Sequence, residues 1–230
     1  MENPILSANE DVMNSVPLNH LLSDSEQNLL NLNSNIVEFS KRDTIIKQNS
    51  RASHILYINS GLVKLSKEMR KGKSLMLNIE GAGKFIGLNS AFGNDTYHYS
   101  ITAIESTKVS FIDSKVFKEI ITHNGNLGLE LIYQISRNNN IMTDRLSSLL
   151  YKQLPGRVAD IIIYFSEVIY KSESFVFPLT RQELAELAGT TKESIIRTLS
   201  EFKHDKIIDM DRNAITVLSP KIINTLSRLG

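Results

Sequence analysis

From Ile36 to Ile112 apolar and polar residues alternate in short runs: IVEFS, TIIKQ, HILYINSGLVKLSK, SLMLNIEGAGKFIGL, YHYSITAIES and KVSFID. Each run is broken by Gly, Asn, Asp or Ser, including a Lys71-Gly72-Lys73 turn. Successive side chains of an extended strand point to opposite faces, so this period of two predicts half-buried antiparallel strands. Many short strands at such spacing escape exposed edges by closing, as an antiparallel β-barrel or a jelly roll. Ahead of them, LNHLLSDSEQNLLNLN predicts a short helix capped at Ser23 or Asp24. GAGKFIG is no phosphate loop, because neither a helical pattern nor a Gly-Lys-Ser/Thr ending follows it.

After Asn126 the period becomes helical. Gly128, Ile132, Ile135, Asn139, Met142, Leu146 and Leu149 recur in alternating steps of four and three, a heptad seam with one polar member. Leu127, Leu131, Ile141 and Leu150 form part of a second apolar stripe. A helix with two stripes needs two partners: one stripe is expected on the β-domain, the other against the same helix of a second copy, with Asn139 fixing register. Pro155 cannot continue this helix and Gly156 weakens it, so the boundary is drawn between a 1–152 domain, ending in a dimerisation helix over 125–152, and a 153–230 domain. A second helix starts with Pro155 in its first turn, and Val158, Ile161, Ile162, Phe165, Val168 and Ile169 form its core face.

The stretch TRQELAELAGTTKESIIRTLSEF predicts two helices around a tight turn. Thr180 with Glu183 is a capping box, Gly189 permits the turn, and Thr190 or Thr191 caps the next helix, with Glu193 in capping-box position to Thr190. Ile195, Leu199 and Phe202 then share a buried stripe, which leaves Lys192, Glu193, Ile196, Arg197 and Ser200 on one outer face. Arginine can pair bidentately with guanine, glutamate can accept from cytosine and an apolar side chain can cover a thymine methyl, so Arg197, Glu193 and Ile196 offer one of each. Thr180, Arg181, Thr191 and Lys192 lie at helix N-termini, where backbone amides favour phosphate. KIIDMDRNAITVLSP adds strand, turn and strand, with Asp211, Arg212 and Asn213 at the tip, as a winged helix requires.

Bulk charge does not argue for DNA. The net charge is +1, and Pro178–Arg212 holds six basic against seven acidic residues, so any affinity must come from which face the charges occupy. Without cysteine there is no disulfide, thiolate nucleophile or cysteine-ligated metal. No apolar run is long enough for a membrane span, and the acidic, polar start MENPILSANEDVMNS lacks a secretory pattern, which predicts a cytoplasmic protein.

LTRQELAELAGTTKESIIRTLSEF followed by KIIDM and ITVLS resembles the cyclic-AMP receptor protein and fumarate-nitrate reductase regulator (CRP/FNR) family of bacterial transcription factors, and the resemblance spans nearly the whole chain. It implies an α+β protein: an N-terminal double-stranded β-roll (a jelly roll like the cyclic-nucleotide-binding domain), a long dimerisation helix and a C-terminal winged helix-turn-helix. It also implies double-stranded DNA, a second copy of the chain and RNA polymerase as partners. Glu193 and Arg197 match the family's base-reading pair, Lys192 a position often Arg, and Thr180, Arg181 and Thr191 its phosphate contacts; Ile196 stands where Ser or Gly is common.

The sensor half departs from the family. Where cAMP-binding members carry Gly-Glu and Arg-Ser, the matching residues here are Gly87-Leu88 and Tyr97-His98. Each missing charge-assisted bond is worth about 1.5–3 kcal/mol, which argues against cAMP. The iron-sulfur sensor is excluded by the absence of cysteine. His20, His54, His98, His123 and His204, with six methionines, offer haem ligands, but no spacing marks them. The effector is unidentified; by family analogy its pocket would involve Leu88, Tyr97 and His98 and would touch the long helix at Met142 and Thr143. A second reading stays open, in which the β-roll binds a small molecule and the C-terminal domain contacts protein. An enzyme of the cupin kind is not expected, since that chemistry needs about two His and a carboxylate on paired strands, no His-x-His occurs and only His98 and Glu105 are near each other there.

Overall fold

The structure, a computed structural model, describes residues 20–69 and 74–230; the turn at Lys71-Gly72-Lys73 lies outside them. The chain forms one compact unit that runs to Ser136 and another from Arg137 to Gly230.

In the first unit Ser23 caps α1 (Asp24–Leu32): its hydroxyl accepts from the Glu26 amide while its own amide donates to Glu26 at 2.8 Å. Two four-stranded antiparallel sheets follow. One has the order β1 (Ser34–Phe39), β8 (Thr107–Asp113), β3 (His54–Ser60), β6 (Phe85–Ile86). The other has the order β2 (Thr44–Ile46), β7 (Ser100–Ala103), β4 (Leu62–Glu68), β5 (Ser74–Gly81). Leu56, Ile58 and Val109 of the first sheet meet Val63, Leu65, Ile101 and Ala103 of the second in a shared apolar core, which makes the pair a β-roll.

A second core gathers Leu30, Ile55, Phe85, Leu88, Ile112, Phe117 and Ile120 under α2 (Leu88–Phe92) and α3 (Ser114–His123). The long helix α4 (Gly125–Tyr151) enters this core with Leu127 and Leu131, two of the expected inward residues. Leu150 does not join them, being 67% exposed. Leu127, Leu131 and Gln134 stand at i, i+4 and i+7 on one face of the helix, so the inward position one turn after Leu131 falls to Gln134. That side chain is buried, accepts from the Phe85 amide at 3.3 Å and donates to the Phe85 carbonyl at 2.7 Å.

In the second unit α5 (Leu154–Ile163) has Pro155 in its first turn, where no intrahelical donor is lost. Gly156 lets it approach α8 (Pro220–Leu229) closely: a Cβ there would stand 2.7 Å from the Gly230 Cα. The expected helix does not stay α-helical but widens into π-helical winding over Tyr164–Ile169, closed by the Tyr170 amide on the Phe165 carbonyl at 2.9 Å. Phe165 and Val168 remain buried through this turn, and Phe165 packs on Phe175 and Phe177. Asp160 joins three helices: it accepts from Ser148 of α4 at 2.9 Å, from Lys152 at 2.8 Å and from Ser227 of α8 at 2.6 Å. The remaining elements are β9 (Ser174–Val176), α6 (Arg181–Ala188), α7 (Lys192–His204), β10 (Ile208–Asp211) and β11 (Ala214–Val217), with the sheet in the order β10-β11-β9. Among the described residues no helix is long and apolar enough to cross a membrane.

Candidate nucleic-acid interface

Helix α6 begins as its sequence dictates. The Thr180 hydroxyl accepts from the Glu183 amide at 3.2 Å, and the Glu183 carboxylate accepts from the Thr180 amide at 2.7 Å. The helix ends at Gly189 in the left-handed region, φ +62°, ψ 45°, where the Thr190 amide closes on the Ala185 carbonyl. A side chain at Gly189 would bring its Cβ to 2.5 Å from Leu149 Cδ2, so glycine serves both the turn and the close approach.

The cap of α7 is Thr191, whose hydroxyl accepts from the Ser194 amide at 3.3 Å. Thr190 does not cap, which corrects the box expected with Glu193. The physical reason is the αL turn: the Thr190 amide is used to end α6, so the first residue free to cap is the next one. Glu193 therefore sits in the first turn of α7 with its side chain outward. Ile195, Thr198, Leu199 and Phe202 face the core, while Lys192, Glu193, Ile196, Arg197 and Ser200 are all exposed. The Ser200 hydroxyl bonds back to the Ile196 carbonyl at 2.9 Å.

The wing follows. β10 and β11 pair antiparallel, and their two-residue tip places Arg212 at φ +50°. Arg181 is half-buried here rather than directed to solvent. Its Nη2 contacts Met210 Sδ at 3.2 Å and donates to the Arg212 carbonyl, its Nη1 is buried without a hydrogen-bond partner, and burial lowers its pKa. The sequence treats Arg181 as a phosphate contact; the structure has it bracing the wing against the N-terminus of α6. Lys203 gives the wing a second brace by donating to the Met210 carbonyl at 2.5 Å, a role that helical periodicity does not mark because its partner lies on the following strand. Thr180 and Thr191 are exposed.

The final turns of α4 belong to the same compact unit. Arg145 Nη2 donates to the Leu187 carbonyl at 2.8 Å, and burial lowers the guanidinium pKa to about 10. Arg157 donates to the Leu149 carbonyl at 3.3 Å. Of the seam residues, Ile132 (60%), Ile135, Asn139, Met142 and Leu146 (58%) are exposed along α4, whereas Leu149 is half-buried against Gly189.

Of the residues named for an effector, Leu88, Tyr97 and His98 have three different settings in the first unit. Leu88 lies in the core under α2 and α3. Tyr97 is 1% exposed in the inter-sheet core, with its hydroxyl donating to the His54 carbonyl, and burial raises its pKa well above the ordinary tyrosine value. His98 is exposed and bonds Asn94 at 3.0 Å. Met142 and Thr143 are exposed on α4 in the other unit. Among the described residues no group of three or more His, Asp or Glu side chains is placed to hold a metal ion.

A family model for the cyclic nucleotide-binding domain matches residues 36–124, and one for the Crp-like helix-turn-helix domain matches residues 156–224. The cAMP-activated global transcriptional regulator CRP of Salmonella typhimurium is 23% identical over 186 residues, which covers 79% of this chain and 89% of that protein. Among solved structures, FixK2 from Bradyrhizobium japonicum superposes with a TM-score of 0.77 at 16% identity, covering 84% of this chain and 96% of that one. A transcriptional regulator of the crp/fnr family from Eubacterium rectale gives 0.76 at 19% identity, covering 94% and 99%. A β-roll of the cyclic-nucleotide-binding kind, a long helix and a winged helix-turn-helix together define a DNA-binding transcription regulator. The chain belongs to the CRP/FNR family.

Proposed function

We propose that this regulator acts as a homodimer on palindromic DNA sites, with α7 of each copy in the major groove and an effector other than cAMP setting its activity. The observation that carries the reading is the outer face of α7, where Lys192, Glu193, Ile196 and Arg197 stand exposed side by side while the opposite face is buried. Arg197 reads guanine, Glu193 accepts from cytosine, Ile196 contacts a thymine methyl and Lys192 supports the same groove. Thr180 and Thr191 position phosphates at helix N-termini, and Arg181 contributes through the wing it braces.

The dimer contact is the exposed stripe Ile132, Ile135, Asn139, Met142 and Leu146, continued by Leu149. In functional terms residues 1–152 form the sensor with its dimer helix and 153–230 the reader. RNA polymerase is the third partner. An apolar Leu88 in the place of a ribose-binding carboxylate, and a neutral-side-chain pair Tyr97-His98 in the place of Arg-Ser, support an effector other than cAMP. The effector acts by favouring one of two arrangements of the dimer, which brings the two reading helices into or out of register.

Footprinting and equilibrium binding of Arg197→Ala test the assignment. The variant should lose about 1–3 kcal/mol and relax discrimination at one base pair of each half-site. Unchanged affinity and specificity would remove Arg197 from the reading surface. Binding that weakens steeply with salt would separate DNA from a protein partner of the C-terminal domain, because phosphate contacts release counterions.

A further inference from the structure

The interior of the β-roll holds a buried carboxylate with one oxygen left without a hydrogen-bond partner. In the register of the second sheet, Glu80 of β5 stands opposite Val63 of β4, which stands opposite Ala103 of β7; Asn78, Leu65 and Ile101 form the adjacent row. Residues directly opposite in an antiparallel pair share a face, and Val63, Leu65, Ile101 and Ala103 all belong to the core between the sheets. Asn78 and Glu80 therefore point inward. Tyr99, two residues before Ile101, packs on the same core, and its hydroxyl meets the Gly87 backbone and the Ser90 side chain.

Glu80 is 4% exposed. Its Oε1 accepts from Asn78 Nδ2 at 2.8 Å, while Oε2 is buried with no hydrogen-bond partner. Lys84, also buried, lies near enough to offset part of the charge, yet burial still raises the carboxyl pKa to about 7. A buried carboxylate with one unsatisfied oxygen is costly, and a hydrophobic side chain in the row of Val63 and Ala103 would avoid that cost. Such groups persist where something binds them.

We propose that Asn78, Glu80 and Tyr99 form a binding site inside the β-roll for a small amidine, amide or amino-heterocycle whose N–H groups donate to Glu80 Oε2, and that the same carboxylate turns away anionic ligands. The proposal rests on the reading of the β-roll as the effector domain and names the chemical class of that effector. The complement of the site is an N–H donor beside an acceptor: the carboxylate accepts the hydrogen bond from the N–H, and the Asn78 amide and Tyr99 hydroxyl are the neighbouring polar groups.

Calorimetric titration of the full chain at pH 8 with benzamidine, benzamide and benzoate tests this, since the three share one ring and differ in donors and charge. Benzamidinium and benzamide should bind competitively, with benzoate at least about tenfold weaker. Glu80→Gln, which keeps the side-chain shape, should lose at least about tenfold in benzamidinium affinity and narrow the gap to benzoate. Tyr99→Phe should lose a smaller factor, with circular dichroism melts confirming that both variants fold. No benzamidinium binding, equal binding of benzoate, or an affinity unchanged in Glu80→Gln would overturn the proposal. DNA footprinting on the same preparations separates the two readings. An intact footprint without benzamidinium binding overturns the ligand site alone, and benzamidinium binding without a footprint supports the site while removing DNA control.

Discussion

Replacing Asp160 by alanine should cost the C-terminal unit far more than a typical substitution, because this one carboxylate connects three helices. It accepts from Ser148 Oγ at 2.9 Å, from Lys152 Nζ at 2.8 Å through both oxygens, and from Ser227 Oγ at 2.6 Å. Its side chain is only 11% exposed and that of Lys152 20%, so solvent replaces little of what is lost. Truncation removes the acceptor of a largely buried ammonium and of the Ser148 hydroxyl. Breaking one side of a buried ion pair costs about 3–5 kcal/mol, and partial exposure of Lys152 points to the lower end. Urea unfolding followed by circular dichroism would read this as a lowered midpoint with an unchanged slope. Adding Lys152→Met to Asp160→Ala removes the stranded charge and should recover a third or more of the loss, whereas Asp160→Asn keeps an acceptor and should lie between. A midpoint shift equivalent to less than about 1 kcal/mol for Asp160→Ala would refute the hub, since surface ion pairs give values of that size.

Other expectations follow from single features. Gly189→Ala should destabilise by about 1–2 kcal/mol from the left-handed backbone alone, with a further part from the Cβ against Leu149, and Gly189→Asn should be milder in the same melts. Burial raises the Glu80 carboxyl from 4.5 to about 7, so the folded chain keeps a proton that the unfolded chain has released. Stability should therefore fall as pH rises through that window, by up to about 3 kcal/mol, and Glu80→Gln should flatten the slope. Glu105, also raised by burial, adds a part of the same sign that Glu80→Gln leaves in place, whereas Glu26 and Asp113, lowered by their cap hydrogen bonds, act in the opposite sense at more acid pH. Ile135→Glu, at an exposed seam position, should shift sedimentation toward the monomer without changing the melt of either unit; an unchanged mass would remove Ile135 from the seam.

The local patterns were legible because their causes are local. The box of Thr180 and Glu183, the cap at Ser23, the turn at Gly189 and the inward stripe of α7 each depend on residues within one or two turns of one another. Period two along the strands and the change of period at α4 followed from side-chain geometry. Misreadings came where two local signals competed: Thr190 and Thr191 could both cap, and only the end of α6 decided between them. Leu150 was misplaced because, at 3.6 residues per turn, its place in the chain rotates it well off the face that Leu127, Leu131 and Gln134 share.

By itself the amino-acid sequence determined the order of the elements, the capped pair of helices and the outer face of α7, all of which follow from propensity and periodicity along the chain. Tertiary structure decided what depends on partners far apart. Arg181 turned toward the wing because the Arg212 carbonyl lies there, Asp160 became a hub because α4 and α8 converge on it, and Glu80 faced the interior. In SLMLNIEG the side chains of Leu75, Leu77 and Ile79 alternate with those of Met76, Asn78 and Glu80, and alternation alone does not say which set faces inward. Pairing with β4 sets Asn78 and Glu80 inward, and the register shift between Leu65 and Ser66 lets Leu77 pack on the same core. A one-residue change of register moves every side chain of a strand to the other face, and no local pattern records which register the sheet will choose.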